Sequence, residues 1–398
     1  MIAIDQLLSD AGRALGRLPV DAGRADMVFT RPGELLSTLA SGEARRVASE
    51  RRLGLPVPRY CLFSVTWRCN LKCVGCYAKN YARGGEMTLD EIDRVMREAR
   101  DLGTYLFVVV GGEPLMVPGL IDVMSKIDGA VFLMFTNGTL LDEGRAESIA
   151  RSRRVMPIIS TEGDAGETDG RRGAGVSAKV ASAMEVLGRR GVPFGFSSMV
   201  TRRNLDRVTS RAWFDTLWDA GARLAFLIDY IPFPHDLDES LVLRDGDYER
   251  KRRAVASRYE EARPLVVNFP ADEYESGICQ GAGTGFIHVN AHGFVEPCPF
   301  SHYASENVRE KSLCEILGSP FLATLRDELA GLPNPQGKCL LFEHEAEVRE
   351  IARRTGGFPT ERSRVRGKTP RRKPPALRDR LVDFVCSAAD RLMRFGER

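Results

Sequence analysis

The chain reads as an α/β protein, a partial (β/α)6 TIM-like barrel followed by a small α+β domain, and three observations predict this. Buried-strand patterns alternate with amphipathic helix patterns six times from about residue 60 to residue 230. Clusters of glycine, cysteine and small polar residues fall directly after strands, where a parallel barrel gathers its functional loops. Near residue 264 the alternation stops and a hairpin signal replaces it.

The elements follow in order. Residues 1–59 form a helical region with an apolar stripe of Ile4, Leu7, Leu8, Leu15 and Leu18. Strands are expected at Tyr60–Thr66, Tyr105–Val110, Val131–Thr136, Pro157–Thr161, Pro193–Val200 and Leu224–Tyr230. Helices are expected around Leu89–Leu102, Leu120–Ile127, Glu143–Arg151, Val176–Arg190 and Arg211–Ala220, the first opened by a Thr88/Glu91 capping box. The barrel is therefore bounded at 60–262. In 263–345, Pro264–Phe269 is strand-like, Gly285–Asn290 and Phe294–Pro297 flank a turn, and helices follow at Ser312–Leu317 and Phe321–Leu329. Residues 346–398 hold a basic linker and a last amphipathic helix, Leu377–Phe395.

Composition narrows the class. At 398 residues with a formal charge of +3, the chain has no apolar run long enough for a bilayer and no signal-peptide layout, so a cytoplasmic location is expected. From Glu361 onward twelve Lys/Arg face five Asp/Glu, so the preceding body is net acidic and only the tail suits an anionic partner. Nucleic acid is not expected as a partner, and peripheral membrane contact by the C-terminal helix is a minority expectation. Nine cysteines in a reducing compartment point to metal ligation rather than disulfides where they cluster.

Cys69, Cys73 and Cys76 follow the first strand in C-x3-C-x2-C spacing, and three soft thiolates on one rim loop suit three corners of an iron–sulfur cubane, with one iron left open. A structural zinc would need a fourth Cys or His, and none lies within a few residues. Thr66-Trp-Arg-Cys69-Asn-Leu-Lys-Cys73-Val-Gly-Cys76-Tyr77 resembles the signature of the radical S-adenosylmethionine (SAM) superfamily. The resemblance implies a catalytic 4Fe-4S cluster on these cysteines, with SAM on the open iron. It also implies an oxidoreductase that cleaves SAM to a 5′-deoxyadenosyl radical and abstracts hydrogen from a substrate carbon, fed by an electron donor such as flavodoxin or ferredoxin.

Tyr77 completes that signature, and further matches occur along the barrel. Gly111-Gly112-Glu113-Pro114 follows the second strand, where bare backbone permits close approach and a carboxylate can receive an ammonium group; in the family this segment contacts the SAM amino group. Asn137 ends the third strand, with a plain turn as the equal alternative. Ser160 and Glu162 match a Ser-x-Asp/Glu-Gly pattern implying contacts to the SAM ribose or carboxylate, Arg172 lies in the same block, and Ser198 is a weaker candidate. Asp229, Tyr230, His235 and Asp236 follow the sixth strand, where a solvated loop is the preferred reading over substrate contact.

Cys279, Cys298 and Cys339 form a second group around the hairpin, resembling the SPASM and twitch extensions of radical SAM enzymes. Only three cysteines are well placed, so one auxiliary 4Fe-4S cluster is implied. Its fourth ligand is open among His344, Glu343, Cys314 and a substrate, and His288, Asn290 and His292 are candidates for hydrogen bonding around it. Cys61 and Cys386 read as packing. The substrate is a peptide or a small biosynthetic intermediate, modified oxidatively. The competing class is a non-catalytic iron–sulfur or zinc scaffold.

Overall fold

The computed structural model describes residues 32–232, 238–261, 265–270, 279–332 and 338–361. His235, Asp236, the stripe in residues 1–31 and the C-terminal helix with Cys386 lie outside these residues.

The order is α1 (Pro32–Leu53), β1 (Tyr60–Ser64), α2 (Leu89–Leu102), β2 (Leu106–Val110), α3 (Leu120–Ser125), β3 (Val131–Thr136), α4 (Glu143–Ser152) and β4 (Val155–Ser160). Then come α5 (Ala165–Arg172), α6 (Val176–Arg189), β5 (Phe194–Val200), α7 (Leu205–Val208), α8 (Arg211–Asp219), β6 (Ala222–Asp229), α9 (Asp245–Glu261) and β7 (Leu265–Phe269). The remainder holds β8 (Phe286–Val289), β9 (Val295–Glu296), β10 (Tyr303–Ala304), α10 (Leu313–Leu317), α11 (Pro320–Leu329), α12 (Leu340–Glu343), α13 (Glu345–Thr355) and β11 (Phe358–Pro359).

One sheet of nine strands runs β7-β6-β5-β4-β3-β2-β1-β8-β9. From β1 to β7 every neighbour is parallel, and β8 is parallel to β1 on its other edge. This is the expected partial barrel with a correction at the boundary placed at 262/263. Pro264–Phe269 does not open a separate unit: β7 extends one edge of the barrel sheet and the β8–β9 hairpin extends the other. The six-repeat count missed this because both strands are short and their partners are distant in sequence.

Strand alternation divides the sheet's side chains between two faces. Cys61, Phe63, Phe107, Val109, Phe132 and Met134 are buried in the hydrophobic core. Burial pushes the Cys61 thiol up to about 12, so it is a packing residue, as expected. On the other face Leu62, Val108, Leu133, Phe135, Leu224 and Phe226 line an internal cavity.

The capping box at α2 forms as read: Thr88 Oγ1 accepts from Glu91 N at 3.2 Å and Glu91 Oε2 from Thr88 N at 2.7 Å. The polar helix α9, with five Lys/Arg and five Asp/Glu, carries too little apolar periodicity to be read from sequence. A buried ion pair fastens it instead, Lys251 to Asp229 at the end of β6.

Candidate active site

The loop after β1 brings Cys69, Cys73 and Cys76 to the mouth of a cavity of about 340 Å³ inside the barrel, and all three line it. They ring the mouth rather than meeting at a point: among the described residues no three His, Cys, Asp or Glu are close enough to hold a single ion. Amides and side chains pin the loop. Glu86 accepts from Trp67 N at 2.7 Å and from Thr66 Oγ1 at 2.8 Å, Leu71 N donates to Cys69 Sγ at 3.4 Å, and Val74 N donates to Arg171 O at 3.0 Å. Trp67 stacks on Tyr81 with centroids 3.9 Å apart. Tyr77 packs edge-on against Trp67 and Phe300, lines the cavity, and burial raises its phenol.

Gly111 and Gly112 also line the cavity, and their bare backbone has a second purpose. Gly112 N donates to Thr66 O at 2.6 Å and Glu113 N to Arg68 O at 2.9 Å, locking the end of β2 against the cysteine loop. A Cβ on Gly112 would stand 2.0 Å from Arg68 O, and one on Gly111, whose φ is +124°, would stand 2.4 Å from Thr66 O.

Glu113, expected to meet an ammonium group, is engaged by its own chain. Its carboxylate is fully buried and does not line the cavity. Oε1 accepts from Leu115 N at 3.0 Å and Thr136 Oγ1 at 2.7 Å, and Oε2 from Asn137 N at 2.8 Å. It staples the ends of β2 and β3, and burial raises its pKa despite these bonds. Asn137 is more than a turn residue. Its Nδ2 donates to Asn70 Oδ1 at 2.9 Å and lies 3.8 Å from Cys69 Sγ, within the reach of a weak N–H···S bond.

Glu162 is likewise buried and occupied, bonding Arg171 Nη1 at 2.5 Å, Arg172 Nε at 2.7 Å and Met199 N at 2.9 Å. The carboxylate holds two guanidiniums at the cavity, which Arg171 and Arg172 line while Glu162 does not. Burial alone would depress Arg172, but the charges of Glu162, Cys73 and Cys76 outweigh it and raise its pKa. Arg171 was not singled out by the sequence, though its neighbour was. Ser160 lines the cavity and shares a 3.2 Å hydrogen bond with Ser197, a residue the reading missed. Ser198 lines it too, with a buried hydroxyl that has no hydrogen-bond partner.

Asp229 and Tyr230, placed at the same rim, are both buried, and neither lines the cavity. Burial rules out the solvated reading for both: Asp229 is paired with Lys251, burial raising its pKa in spite of that partner, and the Tyr230 ring lies against Gly75 of the cysteine loop.

The elements bearing the second cysteine group converge on Gly281. A Cβ there would lie 3.4 Å from Cys279 Sγ, 3.1 Å from Pro297 O, beside Cys298, and 3.3 Å from Leu341, two residues past Cys339. Cys314 is disulfide-bonded, which removes it from the candidate fourth ligands. His344 is 3.4 Å from Glu347.

His288, Asn290 and Glu296 build a buried network between the two cysteine groups. Ser64 Oγ and His288 Nε2 share a 2.8 Å bond, His288 Nδ1 and Glu296 Oε2 a 2.7 Å bond, and Asn290, Tyr81 and Thr360 donate to Glu296. His292 serves the barrel side, bonding Gly84 O at 3.1 Å.

Three thiols at a cavity mouth, an orphaned hydroxyl, two arginines anchored on a buried carboxylate and a glycine cradle fit an iron–sulfur cluster with a zwitterionic ligand. Residues 63–209 match the sequence profile of the Radical SAM superfamily. The chain carries a radical SAM domain.

Relatives extend the likeness beyond the barrel. The chain is 27% identical to the AdoMet-dependent heme synthase of Methanosarcina barkeri, over 72% of this chain and 89% of that protein. It is 25% identical to the PqqA peptide cyclase of Gluconobacter oxydans, over 72% and 84%. In fold it resembles Streptococcus suis SuiB bound to precursor peptide SuiA, with a TM-score of 0.56 at 16% identity, covering 71% of this chain and 69% of that one. The chain is a radical SAM enzyme, a family that uses a 4Fe-4S cluster and SAM, and the scaffold alternative finds no support. Among the described residues no helix is long and apolar enough to cross a membrane.

Proposed function

We propose that Cys69, Cys73 and Cys76 hold the SAM-binding cluster, and that this radical SAM enzyme oxidatively modifies an apolar portion of a substrate held inside the barrel. The observation that carries this reading is the single cavity joining the three rim thiols to an apolar barrel interior. When bound, the cluster and SAM supply a 5′-deoxyadenosyl radical able to take hydrogen from an unactivated carbon. The chain's own residues position and protect. Arg171 and Arg172, held by Glu162, offer charge to the ligand carboxylate, and Ser160 and Ser198 offer hydroxyls at the same wall. Asn137 polarises Cys69 Sγ. Phe135, Phe226, Phe269 and Phe300 pack the substrate and exclude water that would quench a radical.

Cys279, Cys298 and Cys339 are proposed to hold one auxiliary cluster in the segment that follows β7, with Glu343, His344 or a substrate as the fourth ligand. A flavodoxin- or ferredoxin-type protein in a reducing cytoplasm would supply the electron. Peptide relatives favour a peptide substrate; the aromatic wall and the heme synthase relative favour a small aromatic intermediate as a second reading.

The test is the iron and sulfide content of anaerobically reconstituted wild type beside Cys69→Ala/Cys73→Ala/Cys76→Ala, followed by SAM cleavage under dithionite. About eight irons in the wild type, about four in the triple variant and 5′-deoxyadenosine from the wild type alone are expected. Equal SAM cleavage by both proteins would sink the assignment.

A further inference from the structure

The cavity has a second polar end that the chemistry at the rim does not use. Arg59, just before β1, and Gln280, ahead of β8, both line it. They flank Gly285, whose carbonyl accepts from Arg59 N at 2.9 Å and whose amide donates to the Gln280 carbonyl at 2.8 Å. Strands rise about 3.3 Å per residue, so the length of β1 sets this end roughly 15 Å from the cysteine rim.

Two donor nitrogens here lack a hydrogen bond. Arg59 Nε and Gln280 Nε2 are both buried without a hydrogen-bond partner. The nearest carboxylate to Arg59 is Glu43, whose Oε2 lies 3.5 Å from Nε. That carboxylate is already taken, bonding Arg46 at 2.7 and 2.9 Å and accepting from Tyr105 at 3.2 Å. Between the two ends the wall is apolar, built from Leu62, Val108, Leu133, Leu224, Phe226 and Phe286.

A buried guanidinium nitrogen and a buried amide nitrogen without hydrogen-bond acceptors are each costly, and both are relieved by an anionic oxygen. The geometry points to a carboxylate-binding subsite at the base of the cavity, where Arg59 and Gln280 anchor the acid end of an apolar substrate and leave its far end at the cysteine rim. A guanidinium that shares its one nearby carboxylate with Arg46, beside a neutral amide, matches a singly charged, planar group that a fork of N–H donors can grip. The span between anchor and rim then acts as a ruler, selecting which carbon meets the radical. This rests on the barrel cavity being the substrate site.

The experiment uses reconstituted full-length protein with SAM, titrated calorimetrically with phenylbutyrate and phenylbutyramide, and with N-acetyl-phenylalanyl-alanine and its C-terminal amide. Wild type is expected to bind an acid about tenfold or more tightly than its amide, the worth of one charge-assisted bond. Arg59→Gln should abolish the preference, Gln280→Leu reduce it and Arg59→Lys retain part of it, with thermal melting checking that each variant folds. Preference for the dipeptide acid assigns the carboxylate to a peptide end; preference for phenylbutyrate alone assigns it to a small acid. Equal binding of acids and amides by wild type, or a preference that survives Arg59→Gln, overturns the subsite. Formation of 5′-deoxyadenosine by wild type without any probe is read separately: its loss beside an intact acid preference would remove the catalytic reading and leave the subsite standing.

Discussion

Glu113→Gln separates a structural carboxylate from a ligand-binding one. The amide oxygen can still accept from Leu115 N and Thr136 Oγ1, but the new NH2 must face Asn137 N, where Oε2 now accepts at 2.8 Å. Two donors then oppose each other in a fully buried site, and stranding one costs about 1–3 kcal/mol. The two retained bonds lose their charge assistance, adding about 1 kcal/mol, while relief of carboxylate desolvation offsets a part. The net loss is about 2–3 kcal/mol, or a fall in Tm of about 4–10 °C for a unit of this size. Anaerobic differential scanning fluorimetry measures that fall, and equilibrium dialysis measures SAM affinity beside it. An unchanged Tm with a tenfold loss of SAM affinity would refute the reasoning, because it would mean the carboxylate reaches the ligand.

Gly112→Ala drives a methyl group into Arg68 O and should displace the cysteine loop, so that the variant takes up about half the wild-type iron; Gly170→Ala, with open space around it, serves as the control. Ser198→Ala removes an unpartnered hydroxyl, so Tm should hold or rise slightly while SAM affinity falls about threefold to tenfold, and a lower Tm with normal affinity would show the hydroxyl to be structural. His302 predicts a pH dependence of definite sign. Burial disfavours its imidazolium, but Glu361, 2.5 Å from Nδ1, and the charge of Glu296 outweigh burial and raise the folded pKa above 6.5. The stabilisation is therefore full below about pH 6.5 and fades as pH rises through the folded value, so His302→Gln should flatten the fall of Tm as pH rises above about 6.5.

The barrel was legible because its strands are short apolar runs separated by helices with caps, as at Thr88 and Glu91, and every motif fell after a strand. Which motif atoms face the cavity was not legible. Glu113 and Glu162 lie in the right segments, yet each carboxylate is consumed by neighbours from other strands or helices, a tertiary fact that no local pattern encodes. The same holds for Arg59 and Gln280, some 220 residues apart in sequence and brought together only by the pairing of β8 with β1. Helix α9 escaped notice because a buried Lys251–Asp229 pair, rather than an apolar stripe, attaches it.

The position of β8 changes how the chain can be cut. A fragment ending at residue 262 would strip β1 of one of its two neighbours and leave the strand that carries the cysteine loop as an open edge, its amides and carbonyls bare to other chains. The segment after the barrel is thus a wall shared by both cysteine groups, and swapping it between relatives would re-register the catalytic loop as well as the auxiliary one.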